Sequence, residues 1–219
     1  SQLGMAVLIE NDANAAAWAE ARFGAAKHSR NMVMLTVGTG LGGGIVVERN
    51  MVRGAFGFAA EVGHICFVPE GINCGCGQRG CWEQYASGSA LVRIGKEMAA
   101  ADPQGAEILL TASGNVDSIT GPEITAAAQA GCPVSQMAFA QLGENLGRGM
   151  ASVSALLDPH KYVIGGGVCE AGDLLLRPAQ QAFAEHLTGN KYRTHPEIVL
   201  ATMGNDAGLV GAADLARVA

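Results

Sequence analysis

Hydrophobic and polar positions along this chain follow two periods. Short apolar, β-prone runs at residues 6–9, 32–37, 44–47, 161–164 and 198–201 read as strands. Longer segments carry apolar residues at helical spacing and read as helices over 13–23, 87–101, 103–112, 123–130, 134–157, 173–186 and 207–216. The longest of them repeats Met137, Leu142, Leu146, Met150, Val153 and Leu157 on one side, and the first stops at Gly24. Residues 38–43 join two strand candidates as a hairpin whose glycines can take positive φ. Strands and helices interleave without a repeat or a linker, so the fold class is α/β.

Composition fits one large domain. Hydrophobic residues are 49% and charged residues 16% of 219, enough for a sizeable core. The 31 glycines are about twice the usual share and cluster in short runs, which suggests close backbone approach to a ligand. Net charge is −6 with no basic cluster, so the chain is not expected to track nucleic-acid phosphates. Mean hydropathy is +0.21, but no apolar run approaches the ~18 residues that span a bilayer. The first ten residues have no basic region before their apolar segment, so no signal peptide is expected. No membrane contact and a cytoplasmic location follow as expectations.

Cysteines narrow the chemistry. Of the six, Cys74, Cys76 and Cys81 crowd into one glycine-rich loop, and His64 lies ten residues upstream of the first. Three thiolates and one imidazole would close a tetrahedral zinc site with no open position, which makes the site structural. The plain alternatives are free surface thiols or an oxidised pair, and the single residue between Cys74 and Cys76 strains a bond between those two. Cys66, Cys132 and Cys169 stand in apolar or helical surroundings and read as small core residues.

Carboxylates and glycine runs carry weaker signals. Asp12 sits at a strand-to-helix junction, where it is a catalytic candidate or an ordinary helix cap. Glu61 and Glu83 flank the metal loop, where they could hydrogen-bond a polyol or simply be solvated. The run at Gly38, Thr39 and Gly40 can offer amides and a hydroxyl to phosphate oxygens. Gly165, Gly166 and Gly167 could let a flat ring lie against the backbone, and both runs could equally be tight turns.

Five segments then occur in a telling order: Glu-Asn-Asp-Ala-Asn-Ala-Ala (10–16), Gly-Thr-Gly-Leu-Gly-Gly-Gly (38–44), Glu-Val-Gly-His (61–64), Cys-Gly-Cys-Gly-Gln-Arg-Gly-Cys-Trp-Glu (74–83) and Ile-Gly-Gly-Gly-Val (164–168). Together they closely resemble the ROK family of sugar kinases and repressors, in particular its zinc-containing, ATP-dependent bacterial glucokinases. The resemblance implies an actin-like ATPase (ribonuclease H-like) fold of two lobes. It implies that Asp12 is the catalytic base on the glucose 6-hydroxyl and that Asn11, Glu61, His64 and Glu83 hold the sugar hydroxyls. It makes Gly38, Thr39 and Gly40 a phosphate segment and Gly165, Gly166 and Gly167 an adenosine segment. His64, Cys74, Cys76 and Cys81 become the zinc ligands, and Mg²⁺ accompanies ATP.

One departure is large. The family's Asp-x-Gly-Gly-Thr segment, which holds Mg²⁺ and phosphates in the N-terminal lobe, has no counterpart in this sequence. The chain therefore reads as the C-terminal portion of such a kinase, with low turnover of its own. Residues 1–18 would be a remnant of the small lobe and hinge, 19–207 the large lobe with its zinc loop at 64–83, and 208–219 a helix returning to the small lobe. A strand at 6–9 deprived of sheet neighbours, and the family's habit, lead to an expected homodimer or homotetramer. The alternatives are the sugar-binding effector domain of a ROK repressor and a ROK kinase for N-acetylglucosamine, N-acetylmannosamine or fructose. The intact Asn11-Asp12 pair and both glycine segments favour a kinase over a sensor.

Overall fold

The computed structural model describes residue 4 and residues 7–218. Five strands form one sheet: β1 (Met32–Val37), β2 (Leu41–Val47), β3 (Asn50–Met51), β4 (Lys161–Gly165) and β5 (Glu197–Leu200). Their spatial order is β3-β2-β1-β4-β5. The β1-β2-β3 meander is antiparallel, with Val37 opposite Leu41 at its tight end, while β4 and β5 run parallel to β1. The turn from β2 to β3 is made by Glu48 and Arg49, both at positive φ, the conformation a two-residue hairpin turn demands.

Strand alternation divides the core. Val33, Leu35 and Val37 of β1 point to one face, where they join α2 (Gly88–Ala101), α4 (Gly121–Gln129), α5 (Pro133–Leu157) and α6 (Asp173–His186). Met32 and Met34 point to the other face, under α1 (Asp12–Arg22) and the start of α7 (Ala207–Val218). The short α3 (Glu107–Ser113) packs beside α4. Helix α1 is nearly all alanine on its buried side, so its backbone comes close to the sheet. A Cβ on Gly44 of β2 would stand 2.3 Å from Ala17 Cβ, and one on Gly211 of α7 would stand 1.7 Å from the Ala15 carbonyl. Glycine at those two positions is what lets three elements meet around α1.

Buried polar groups tie α1 in place. Glu20 is fully buried and accepts from the Ala25, Thr202 and Met203 amides at 2.6, 2.8 and 2.8 Å. Asp214 of α7 accepts from Trp18 Nε1 at 2.9 Å and Arg22 Nε at 3.0 Å. Hydrogen bonds from Arg217, Trp18 and Arg22 hold the Asp214 carboxyl below its ordinary value against its partial burial.

Several expectations change. Of the strand expected at 6–9, Ala6 lies outside the described residues, and Val7, Leu8 and Ile9 are exposed and form no strand. The argument for self-association from an unpaired strand edge there falls with it. Helix α3 begins at Glu107 and not at 103, because Asp102 folds back to accept from the Gly105 amide at 2.9 Å and makes a turn of that stretch. Strand β2 begins three residues earlier than its β-branched core because Leu41, Gly42 and Gly43 still pair with β1. Cys66 is an exposed free thiol whose backbone bridges to that of Cys81 in the metal loop, and is no core residue; Cys132 is buried as expected and Cys169 is half-buried. Among the described residues, no helix is long and apolar enough to cross a membrane.

Candidate active site and metal centre

The metal loop is built by backbone constraints before its ligands come into play. Backbone bridges join Asn73 to Arg79 and Cys66 to Cys81, and Arg79 Nε donates to the Gly71 carbonyl at 3.2 Å. Gly80 sits at φ +73, where a Cβ would fall 1.7 Å from the Val68 carbonyl oxygen, so only glycine closes the loop. Trp82 anchors the loop to the body of the molecule. Its ring is fully buried, and Nε1 donates to the Asn145 carbonyl of α5 at 2.9 Å.

Within this frame His64, Cys74, Cys76 and Cys81 place one donor atom each within 4.8 Å of all the others. Cys76 and Cys81 sulfurs are 3.5 Å apart, and Cys74 Sγ lies 3.6 Å from His64 Nδ1. A tetrahedral zinc with Zn–S near ~2.3 Å separates its ligands by about 3.7 Å, so the observed spacings fit that ion. The proton chemistry also fits. Burial first, and then the neighbouring thiols Cys76 and Cys74, push Cys81 up to about 12. Burial and the Glu83 carboxylate push Cys74 up, while the Gln78 amide holds Cys76 below its ordinary value. Crowded thiols, two of them resisting ionisation, are a donor set suited to a divalent cation, which displaces their protons.

Glu83 links this centre to a cleft. Its Oε1 lies 2.9 Å from Cys74 Sγ and 3.7 Å from His64 Nδ1. Its Oε2 occupies the space beside the β1–β2 hairpin, 2.8 Å from where a Cβ on Gly40 would be. The cleft, a cavity of about 410 Å³, is lined by Asn11, Asp12, Glu61 and Glu83 on its polar side and by Gly38, Thr39 and Gly40 along the hairpin. His64 belongs to the metal cluster and is not among the residues lining that cavity.

Helix α1 aims two of these groups. Asn11 is its N-cap, accepting from the Ala13 and Asn14 amides at 2.8 and 3.2 Å through Oδ1, which leaves its amide nitrogen for a ligand. Asp12 is thus not the cap. It is the first helical residue, exposed in the cleft, with Oδ1 on the Ala13 amide at 2.8 Å. Behind them Glu10 takes hydrogen bonds from Arg53 Nε at 2.7 Å and Asn14 Nδ2 at 3.0 Å. Burial alone would raise the Glu10 carboxyl, but these donors outweigh it and hold it below its ordinary value.

The hairpin is locked on its far side. Gly38 and Thr39 carbonyls accept from the first amides of α2 at 2.7 and 3.3 Å, and Ser89 Oγ adds a bond to Thr39 at 2.8 Å. Among the described residues, no bond uses the Thr39 or Gly40 amide, so both can donate to an anion.

Two further cavities adjoin. One, about 510 Å³, is lined by Asp12 and by Gly165, Gly166 and Gly167 at the end of β4. The other, about 970 Å³, runs from Gly38 and Thr39 past Gly167 into a slot between α2 and α4. Gly166 stands at φ +93 with Val37 crowding its Cβ position, so the chain turns there without a side chain. The structure thus gathers Asn11, Asp12, Glu61, Glu83 and both glycine segments around one connected surface. Reading the sequence missed the α2–α4 slot. Its signal was present as Pro122, Thr125, Ala126 and Gln129, a second stripe at helical spacing on α4 opposite the buried Ile124, Ala127 and Ala128.

Comparison with known proteins fits this geometry. The family model described as ROK family matches residues 1–219. A glucokinase of Streptomyces coelicolor is 49% identical over 218 residues, covering 99% of this chain and 69% of that protein. The crystal structure of a ROK family glucokinase from Streptomyces griseus in complex with glucose and AMPPNP superposes with a TM-score of 0.95 at 49% identity, covering 100% of this chain and 70% of that one. A ROK family transcriptional regulator, a homologue of the Escherichia coli MLC protein, gives 0.81 at 32% identity, covering 96% of this chain and 51% of that one.

Proposed function

This chain belongs to the ROK family, and on that premise we propose that it binds glucose in the 410 Å³ cleft and serves ATP-dependent phosphorylation of the sugar's 6-hydroxyl. The observation that carries the reading is Glu83, which has one carboxylate oxygen at the metal cluster and the other beside the phosphate hairpin. Sugar site, metal site and phosphate site are thereby built on shared residues. Likeness to the regulator is lower and covers half of that protein, and a sensor has no need of the free hairpin amides.

In this mechanism Asn11, Glu61 and Glu83 orient the hexose through its hydroxyls, and Asp12 accepts the proton of the attacking hydroxyl. His64 would hold the metal through Nδ1, the ring nitrogen that faces Cys74, and offer its other nitrogen to the sugar side. Zinc bound by His64, Cys74, Cys76 and Cys81 supplies a fixed imidazole orientation and a rigid loop, not a reactive water. The Thr39 and Gly40 amides, backed by the N-terminus of α2, take phosphate oxygens, and Mg²⁺ enters with ATP as their counter-ion. Positioning and charge stabilisation are the main contributions of the protein to such a transfer. The adenosine lies along Gly165, Gly166 and Gly167 and extends into the α2–α4 slot.

The strand order β3-β2-β1-β4-β5, with its antiparallel first three strands, supports the actin-like ATPase assignment. In the same reading residues 19–207 are a large lobe with its zinc loop at 64–83, and residues 1–18 and 208–219 lead towards a small lobe. Cytoplasmic location and assembly into a homodimer or homotetramer complete the proposal. The chain spans 69% of the length of the glucokinase it matches. The test is calorimetric titration of the zinc-loaded chain with glucose and with ATP. Saturable binding of both supports the proposal, and a metal-loaded, folded chain that ignores glucose refutes it.

A further inference from the structure

We propose that Glu170 is the residue that reads the ribose hydroxyls of the nucleotide donor and so sets a preference for ribonucleotides. The inference rests on the donor-site reading above and adds a residue to it. Glu170 lies on the short turn Gly167–Ala171 that follows β4. It lines both the 510 Å³ cavity shared with Asp12 and the 970 Å³ cavity that enters the α2–α4 slot. It is the one charged side chain lining the larger cavity, it is exposed, and among the described residues it makes no ion pair or hydrogen bond.

Topology fixes what such a carboxylate can meet. The turn carrying Glu170 packs against α4 and α6 and against the strands β1 and β4. It therefore stands between the phosphate hairpin at Gly38 and Thr39 and the apolar slot formed by Leu91, Val92, Pro122 and Ala126. A nucleotide has the same linear order: phosphates, then ribose, then a flat base. With the phosphates at the hairpin and the base in the slot, the ribose falls beside Gly167 and Glu170. Gly167 helps, because nothing lies within 4 Å of its Cβ position and the sugar can approach.

Chemistry favours the ribose over the phosphates and the face of the base. An unpaired carboxylate against a triphosphate would repel it, and an exposed carboxylate gives little to the face of a base. Two vicinal hydroxyls, however, are donors spaced for the two oxygens of one carboxylate, and hydrogen bonds to a charged acceptor are the strong kind.

The experiment measures dissociation constants of the zinc-loaded chain for ATP, 2′-deoxyATP and 3′-deoxyATP at fixed Mg²⁺, in the unaltered protein and in Glu170→Ala and Glu170→Gln. The exposed position makes both variants foldable, which thermal melts verify. The unaltered protein is expected to bind at least one deoxy analogue roughly tenfold more weakly than ATP. In Glu170→Ala that ratio should collapse toward one, with ATP weakened to the deoxy level, and Glu170→Gln should restore part of it through its remaining acceptor. Tighter ATP binding by Glu170→Ala would mean that the carboxylate faces phosphates and would overturn the inference, as would an unchanged ratio. Failure of ATP to bind the unaltered chain would remove the donor site itself, whereas ATP binding with an unchanged ratio removes only the role of Glu170.

Discussion

Replacing Gly149 by alanine should destabilise the protein although alanine is the better helix former. Gly149 lies inside α5, where the change to alanine is worth about 1 kcal/mol in propensity. Against this, the new Cβ would stand 1.9, 2.2 and 2.4 Å from Cε2, Cζ2 and Nε1 of Trp82. Carbon contacts need about 3.5–4.0 Å. The indole has no room to retreat, being fully buried and hydrogen-bonded to Asn145. Overpacking of this kind costs about 1–3 kcal/mol, and so deep an overlap belongs at the upper end. The net loss is about 2 kcal/mol, or about 4–8 °C in Tm for a chain of this size. Trp82→Phe removes the clashing atoms while the propensity gain stays, so in urea denaturation the double variant should lose about 3 kcal/mol less than the sum of the single losses. Trp82 sits between the ligand Cys81 and the cleft residue Glu83, so Gly149→Ala should also weaken zinc retention and glucose binding. Additive losses within about 0.5 kcal/mol, or a Gly149→Ala chain as stable as the parent, would refute the reasoning.

Three further outcomes can be checked. Asp12→Asn should leave glucose binding within about twofold while lowering ATP-dependent phosphorylation by about 100-fold or more in a coupled assay; an equal loss in both would make Asp12 a binding group only. Asp214→Asn should flatten the acid limb of stability. The lowered Asp214 pKa contributes stability that is present above about pH 4 and is lost as pH falls through the native value. Melts from pH 2 to 5 that run parallel in parent and variant would contradict this. Glu20→Gln should cost about 2–4 kcal/mol in urea titration, because an amide nitrogen would then face backbone donors that now share a buried carboxylate; an unchanged midpoint would dissociate Glu20 from the α1 anchor.

Much of this architecture was legible because it rests on local rules. The buried strand at β1, the 3.6-residue stripe of α5 and the ligand spacing of Cys74, Cys76 and Cys81 each declare themselves within a few residues. What escaped depends on distant partners. Val7 to Ile9 has strand composition, but no sheet neighbour among the described residues receives it. Whether Asn11 or Asp12 caps α1 is a matter of one residue of helix phase, and the cap decides which side chain stays free for the cleft. Cys66 sits in an apolar stretch yet is exposed, while Cys81, across the same backbone bridge, is buried. The role of the glycines also divides only in three dimensions. Gly44 and Gly149 are packing surfaces, while Gly40, beside Thr39, presents a free amide.

Metal analysis with X-ray absorption on the purified, folded chain bears most directly on the claim that a closed zinc centre orders the sugar cleft. The account predicts one zinc per chain with three sulfur and one nitrogen neighbours, and loss of glucose binding once the metal is stripped. Folded protein without metal, a shell containing water oxygen, or full glucose affinity after stripping would contradict it.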